Sequence, residues 1–386
     1  MLEVNEMNIC SESDCFGCGA CQNICPQNAI FVSYSKEGFL YPHIKENCVH
    51  CLKCRKVCPA INGFEEKHKP IKVFKGFSND LSVRKDSTSG GVFSELASQV
   101  IKENGVVYGA FLDSDLNVKH IGVESLDNLC KLRGSKYVGS DTSNVFRNVR
   151  EALMNGRVVL FSGTPCQIEG LYLYLGKESR ENLFTCDFIC HGVGSMRIFQ
   201  ELIKHLEKKK NSKAQKVYFR SKVRGYRSSS FYVVFENGGR YISKSYRNEF
   251  GYAFSRGMIN RLSCSKCKFA TEYRLSDITL SDCLLDLNKD EKKNGCSFVM
   301  INTAKGERLI SSCKVSVTRI SLEQVINSQP HMSGPQPSHM NRENIMNDID
   351  IPFIEKKKKY LKVPKKNFVR SIWYRVKNAI KQINKR

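Results

Sequence analysis

Long apolar runs are missing from this sequence. The longest, such as GVVYGAFL, fall far short of the roughly 18 residues that span a bilayer, so no membrane-crossing helix is expected. The opening MLEVNEMNIC is acidic and has no apolar segment. That argues against a secretory signal and for a chain kept in the cytoplasm. Acidic residues are in short supply too: 38 Asp and Glu face 61 Lys and Arg, a net charge of +23. Such a surplus can mark a nucleic-acid binder, but no zinc-finger, RRM or helix-turn-helix signature accompanies it, and no nucleic-acid partner is expected. The surplus is also uneven. Residues 355–386 hold thirteen Lys and Arg against one Glu, whereas residues 1–62 have five basic and six acidic side chains. A hydrophobic fraction of 41% excludes a disordered chain, and 386 residues leave room for two or three domains.

Cysteine is the residue that is plentiful. There are 18, nine of them before residue 60, and in a reducing compartment that density points to metal ligation rather than disulfides. Two runs share the spacing C-x2-C-x2-C-x3-C-P: Cys15, Cys18, Cys21, Cys25 with Pro26, and Cys48, Cys51, Cys54, Cys58 with Pro59. Two-residue gaps let successive thiolates converge on one 4Fe–4S cubane, while the fourth cysteine reaches the other cluster. The expected sets are Cys15, Cys18, Cys21 and Cys58 for one cluster, and Cys48, Cys51, Cys54 and Cys25 for the other. Gly17 and Gly19 allow the backbone to wrap closely round the first. A pair of zinc knuckles also uses C-x2-C, but it explains neither the third cysteine of each run nor the C-P ending. Residues 8–62 closely resemble a bacterial two-cluster ferredoxin. Cys10 lies outside the pattern and reads as a spare thiol.

The expected organisation is a ferredoxin-type domain over 1–63, a charged linker over 64–72, an α/β body over 73–327, a Pro/Ser/His-rich surface loop over 328–354 and a basic tail over 355–386. In the body, STSGGVFSELASQVIKENG reads as a glycine turn opening an amphipathic helix, with Val92, Leu96, Val100 and Ile101 on one side. GVVYGAFL and NVKHIGVE read as two strands around an Asp-Ser-Asp turn. RVVLFSGTPCQIEGLYLYL and NLFTCDFICHGVGSMRIFQELIKHL each read as strand, turn, helix. Residues 215–245 are strand-rich, with a hairpin turn at ENGGRY, and SFVMINTAKGERLI reads as a further strand pair. In the tail, Val369, Ile372, Trp373, Val376, Ile380 and Ile383 recur at helical spacing opposite Arg and Lys. That pattern suits a helix on an anionic membrane face, or a solvated basic tail or a helix docked on a partner protein.

Four places in the body could carry chemistry. Ser87-Thr88-Ser89-Gly90-Gly91 opens a helix, where free N–H groups suit phosphate. GTPCQ, Gly163 to Gln167, and Cys190-His191-Gly192 each follow a strand. Cys264-Ser265-Lys266-Cys267 is the fourth. Cys166 and Cys190 with that C-x2-C make four candidate ligands for a third cluster; the alternative is that the two single cysteines are buried small hydrophobes. His191 is a candidate proton donor or flavin contact, or else it orients the loop of the adjacent ligand. Arg220, Arg224 and Arg227 could hold an anionic substrate or cofactor phosphate, or line a solvated strand edge. Cys130, Cys186, Cys283, Cys296 and Cys313 read as structural.

STSGG, GSKYVGSD, GTPCQIEGL, CHG and CSKCKF…RLSDIT occur in the order seen in the coenzyme F420 hydrogenase/dehydrogenase beta-subunit family, and residues 73 to about 310 resemble it. The resemblance implies an iron–sulfur flavoprotein in which Cys166, Cys190, Cys264 and Cys267 hold a 4Fe–4S cluster. Thr88, Ser89, Gly90 and Gly91 would approach FAD, with Lys136, Tyr137, Gly163, Thr164 and Gln167 in the same cofactor-binding set. The implied function is an oxidoreductase that passes single electrons from ferredoxin or another redox protein to FAD, and then hydride to an organic acceptor. The alternative is a non-catalytic electron-transfer subunit of a larger complex. Relatives often continue SDIT with Gly-Asp-Phe-Trp-Gly, where this chain has LSDCLLD, and Leu262 stands where a proline is expected. The acceptor of a relative is therefore not carried over.

Overall fold

The structure, a computed structural model, describes residues 9–64, 66–177 and 180–364. The amphipathic segment 369–383 lies outside them. The cysteine-rich N-terminal part carries one hairpin, β1 (Ile30–Tyr34) with β2 (Leu40–Ile44). The body is built on an eight-stranded sheet of β3 (Lys72–Ser78), β4 (Val106–Leu112), β5 (Val118–Val123), β6 (Val159–Ser162), β7 (Leu183–Phe188), β11 (Ile278–Asp282), β12 (Ser297–Ile301) and β13 (Val315–Arg319). A separate antiparallel sheet holds β8 (Ala214–Ser221), β9 (Ser230–Phe235) and β10 (Arg240–Lys244), the last two joined at the expected hairpin turn.

The large sheet runs β13-β3-β12-β11-β7-β6-β4-β5. Its centre, β4, β6, β7 and β11, is parallel, and antiparallel strands flank it on both sides. Central strands read as continuous apolar runs because both faces are covered: every residue of β12 is buried, as are Val159, Leu160 and Phe161 of β6. Helix Val92–Lys102 buries Val92, Leu96, Val100 and Ile101, the side expected of it. Helix Met196–Lys210 starts at Ser195, whose hydroxyl accepts from Ile198 N, and buries Ile198, Phe199, Leu202, Ile203 and Leu206 along one stripe.

Two segments differ from expectation. SFVMINTAKGERLI is a strand followed by helix Ala304–Ser311, not a strand pair; Thr303 caps it by accepting from Gly306 N, and Leu309 and Ile310 turn inward. Residues 328–354 are not only a surface loop. They contain helix Arg342–Asn347, and His331 and Met332 are buried. KKKK at 356–359 lies on helix Phe353–Lys359, where Lys356 is fully buried against Glu201 (2.7 Å) and the Ile349 carbonyl.

The cysteine-rich part is seated on the body. Asn23 is buried and donates to the Ser143 carbonyl, while Arg147 holds the carbonyls of Asn23 and Cys25 (2.6 and 2.7 Å). Gly19, at φ 79°, lies so close to Thr142 that a Cβ would come within 1.9 Å of its hydroxyl. Gly170 on helix Pro165–Leu175 likewise leaves room for the Cys18 sulfur. The intervening stretch is pinned as well: Phe64 N donates to the buried Glu169 carboxylate, Lys67 pairs with it, and His68 bridges Arg274.

Candidate functional site

The two N-terminal runs come together across their own hairpin. A small cavity is lined by Cys15, Cys18, Cys21 and Cys58, so the fourth cysteine of the second run sits with the first three of the first. Cys25 shares one apolar cluster with Cys54 and Cys48, and Cys54 feels the charges of Cys48 and Cys51. Cys10 does not stand apart: its thiol donates to Cys15 and Cys58. That bond, with the nearby Arg261 charge, holds the Cys15 pKa down at about 6; it also holds Cys58 at about 7.

Cys166, Cys190, Cys264 and Cys267 also meet. Cys166 lies in the first turn of helix Pro165–Leu175, which is started by Pro165 and by the reciprocal cap of Thr164 and Gln167. Cys190 follows β7, and its sulfur accepts from Gly192 N (3.4 Å). Cys264 and Cys267 flank the 3-10 turn Leu262–Lys266. Burial pushes Cys166 up to about 12 and Cys264 up to about 11, and raises Cys190 and Cys267, each thiolate further disfavouring the others. Four such thiols ionise together only against a strongly cationic partner, which is the chemistry of an iron–sulfur cluster site. Among the described residues no three His, Cys, Asp or Glu side chains converge on a single metal ion. A cubane asks for something else, one thiolate per iron around its outside.

The two thiol groups are neighbours. Cys18 feels the charge of Cys166, and its sulfur packs on Gly170 one turn along the same helix. Between the groups lies Arg261, only 2% exposed. Its Nε donates to the Cys15 carbonyl (2.6 Å) and Nη1 to the Leu40 carbonyl (2.9 Å), its Nη2 has no partner, and its own carbonyl accepts from Cys264 N (3.0 Å).

A cavity of about 590 Å³ opens beside both groups, at the carboxyl ends of β6, β7 and β11, where open α/β sheets bind ligands. Thr88, Ser89 and Gly91 line it, as do Lys136, Tyr137, Gly163, Thr164, Gln167 and His191. Gly90 does not. It packs beneath the turn, where its N–H donates to Ser297 and a Cβ would meet the Gly76 carbonyl at 2.5 Å. Ser89 gives its hydroxyl to the Cys296 carbonyl, and Thr88 accepts from Ser135 N, which ties the STSGG turn to GSKYVGSD. Lys136 has only backbone carbonyls for partners (Arg133 O, 2.9 Å), and burial pushes its pKa down to about 7. Burial, with His331 and Arg220 nearby, pushes His191 down to about 3, so its ring is neutral against His331 (centroids 4.2 Å). Arg220 reaches the cavity and pairs with Asp282. Arg224 is exposed and Arg227 bonds the Leu285 carbonyl, so neither joins it.

Residues 156–326 match the family described as the C-terminal part of the coenzyme F420 hydrogenase/dehydrogenase beta subunit. Residues 14–61 match the 4Fe-4S dicluster domain. This is a coenzyme F420 hydrogenase/dehydrogenase beta-subunit domain behind a dicluster domain. The F subunit of the F(420)H(2) dehydrogenase of Methanosarcina mazei is 24% identical over 205 residues, 49% of this chain and 58% of that protein. An uncharacterized protein of Methanocaldococcus jannaschii is 25% identical over 201 residues, 43% of this chain and 54% of the relative. The chain thus spans little more than half the length of the curated relatives it matches. Among solved structures, a chain of the F420-reducing NiFe hydrogenase complex of Methanosarcina barkeri aligns with a TM-score of 0.49 at 17% identity, covering 74% of this chain and 94% of that one.

Several residues of the beta-subunit domain's cavity carry no signal in the sequence. His120 stacks on Phe161; its Nε2 lies 3.0 Å from the Ser162 carbonyl, its Nδ1 is buried without a partner, and burial pushes its pKa down to about 4. His331 arrives from the stretch expected to be a loop. Arg261 precedes Cys264 by three residues, a spacing that fits a turn but not a bond to residue 15.

Proposed function

We propose that the chain is an iron–sulfur flavoprotein oxidoreductase that conducts single electrons between a redox-protein partner and an organic hydride acceptor. When bound, the clusters supply one-electron transfer and FAD supplies the exchange between single electrons and hydride. The observation that carries this reading is the contiguity of the dicluster cysteines, the second thiol group and a cavity lined by nine of the ten residues expected for cofactor and catalysis.

The residues have separable tasks. Cys166, Cys190, Cys264 and Cys267 hold the third cluster. The Gly91 turn at the start of helix Val92–Lys102 offers N–H groups to a phosphate, and Lys136 supplies a positive charge with no carboxylate to neutralise it. Tyr137, stacked on Phe254 (4.7 Å between centroids), gives a flat wall for a ring. His191, neutral and buried, is placed to position an acceptor or donate a hydrogen bond. Iron, acid-labile sulfide and flavin measured on chain purified without oxygen test the proposal. About twelve irons and one FAD per chain are expected; about eight irons with no flavin would overturn it.

A second reading is a non-catalytic electron-transfer subunit, favoured by a relative that is itself named as a subunit. Substrate-dependent turnover by the isolated chain separates the two. An anionic membrane face is a further proposed partner, through the segment 369–383. Because Lys356 is buried against Glu201, the deletion that tests it begins at residue 365, and weaker binding to anionic liposomes is expected. Unchanged binding sinks that part.

A further inference from the structure

Most of the expected cluster cysteines are wholly or partly buried, and Cys51 alone among them is exposed. Its neighbours are exposed with it: Val49, His50, Leu52 and Lys53, then Arg55 and Lys56 on the short helix Lys53–Lys56. Val49 is 59% and Leu52 44% exposed, large apolar side chains that nothing in the chain covers. The backbone there is unusual. His50 and Leu52 both have positive φ, 52° and 59°, on either side of Cys51. That conformation is strained for a leucine, and strain of this kind gathers at functional sites. Here it holds Leu52 out in water beside the one outward-facing thiol. The surrounding charge has one sign: between residues 45 and 58 there are four basic side chains and a single acid, Glu46. Lys53 and Lys56 form no ion pair among the described residues.

We propose that Val49 and Leu52, rimmed by Lys53, Arg55 and Lys56 around Cys51, form the docking face for an acidic one-electron carrier protein. An apolar centre within a charged rim is the anatomy of a transient protein interface. A rim of one sign steers a partner of the other and sets its approach. The face also lies at the end of the thiol series farthest from the cavity, since Cys18 of the other set is the one that adjoins Cys166. In each encounter the carrier's reduced centre loses one electron and the cluster held by Cys48, Cys51, Cys54 and Cys25 gains it; no bond is made or broken and no proton moves. The inference rests on the dicluster reading of residues 14–61 and deepens the proposed function by locating its partner.

The test is stopped-flow reduction of the anaerobically purified holoprotein by a reduced, strongly acidic ferredoxin. The double variant Lys53→Glu/Lys56→Glu is expected to lower the second-order rate at low salt by about tenfold or more and to lose most of the wild-type salt dependence. Leu52→Ala is expected to slow it at every salt concentration. Photoreduction with a small deazaflavin, which needs no docking face, should reduce all three proteins alike. The control Lys208→Glu/Lys209→Glu carries the same charge change on an exposed helix end elsewhere. Equal slowing by the control and the test pair, or no slowing by the test pair, overturns the docking face. Absence of dicluster iron from the wild type would instead overturn the reading beneath it.

Discussion

Replacing both Cys264 and Cys267 with alanine should remove about four irons from the holoprotein and leave about eight. The two thiols are partners of Cys166 and Cys190 on a single turn, and that turn is fixed by Cys264 N bonding the Arg261 carbonyl. The eight N-terminal cysteines do not depend on them: Cys15, Cys18, Cys21 and Cys58 enclose their own cavity, and Cys25 packs with Cys48 and Cys54. The variant should therefore still show dicluster absorbance and still accept electrons from a small reductant. Transfer onward to the cavity should be lost, because the thiol group adjoining both Cys18 and the cavity no longer holds a cluster. Iron and sulfide per chain, with circular dichroism to confirm folding, check the result. An iron content equal to wild type would show that these four thiols hold no cluster.

Lys136→Met is expected to weaken FAD binding by roughly 10–100-fold, the equivalent of about 1.5–3 kcal/mol for a hydrogen bond to a charged group. The reason is that Lys136 has no carboxylate. Its Nζ meets only the carbonyls of Arg133 and Leu132, and desolvation drags its pKa to about 7. An anionic group beside it favours the charged form and raises that pKa again. Binding above pH 7 then takes up a proton, so affinity is highest below about pH 7 and falls as pH rises through that value. The methionine variant should show no such fall. Stability of the cofactor-free chain runs the other way. The folded pKa lies below the unfolded one, so between about pH 7 and 10.5 the unfolded state binds more protons and stability increases with pH. Flavin titrations at several pH values, by fluorescence quenching, check both proteins. A wild-type affinity independent of pH would remove Lys136 from the cofactor's neighbourhood.

The parts of the molecule that were legible in its sequence are those written locally. Cluster ligands on one loop must sit two or three residues apart, so the N-terminal sets announce themselves, including the crossing of Cys58 to the other set. The strand–turn–helix units at Phe161 and Phe188 were readable because a buried parallel strand is a short apolar run and the turn after it carries glycine, threonine or cysteine. Helix Ala304–Ser311 was misread: AKGERLI is short, its glycine suggests a turn, and only the Thr303 cap and the inward Leu309 and Ile310 reveal the helix. His331 was misplaced for a different reason. Its neighbourhood is rich in proline and serine, which describes a loop, but composition says nothing about which loop residue folds back on His191. His120 and Arg261 were invisible because their partners lie far along the chain, and a polar residue buried for a distant contact leaves no periodic mark.

Arg261 has a further consequence for the life of the protein. Its guanidinium is enclosed between Cys15 and Cys264 with one nitrogen unbonded. Withdrawing an uncompensated charge from water costs several kcal/mol, and protonated thiols do nothing to offset it. Thiolates gathered around iron carry negative charge and do. The native packing of the N-terminal module against the body therefore reaches its full stability only after metal is delivered, so maturation and folding are a single event. In a cell short of iron, a newly made chain is held open at this seam and offered to proteases, and the pool of this protein rises and falls with the supply of its metal.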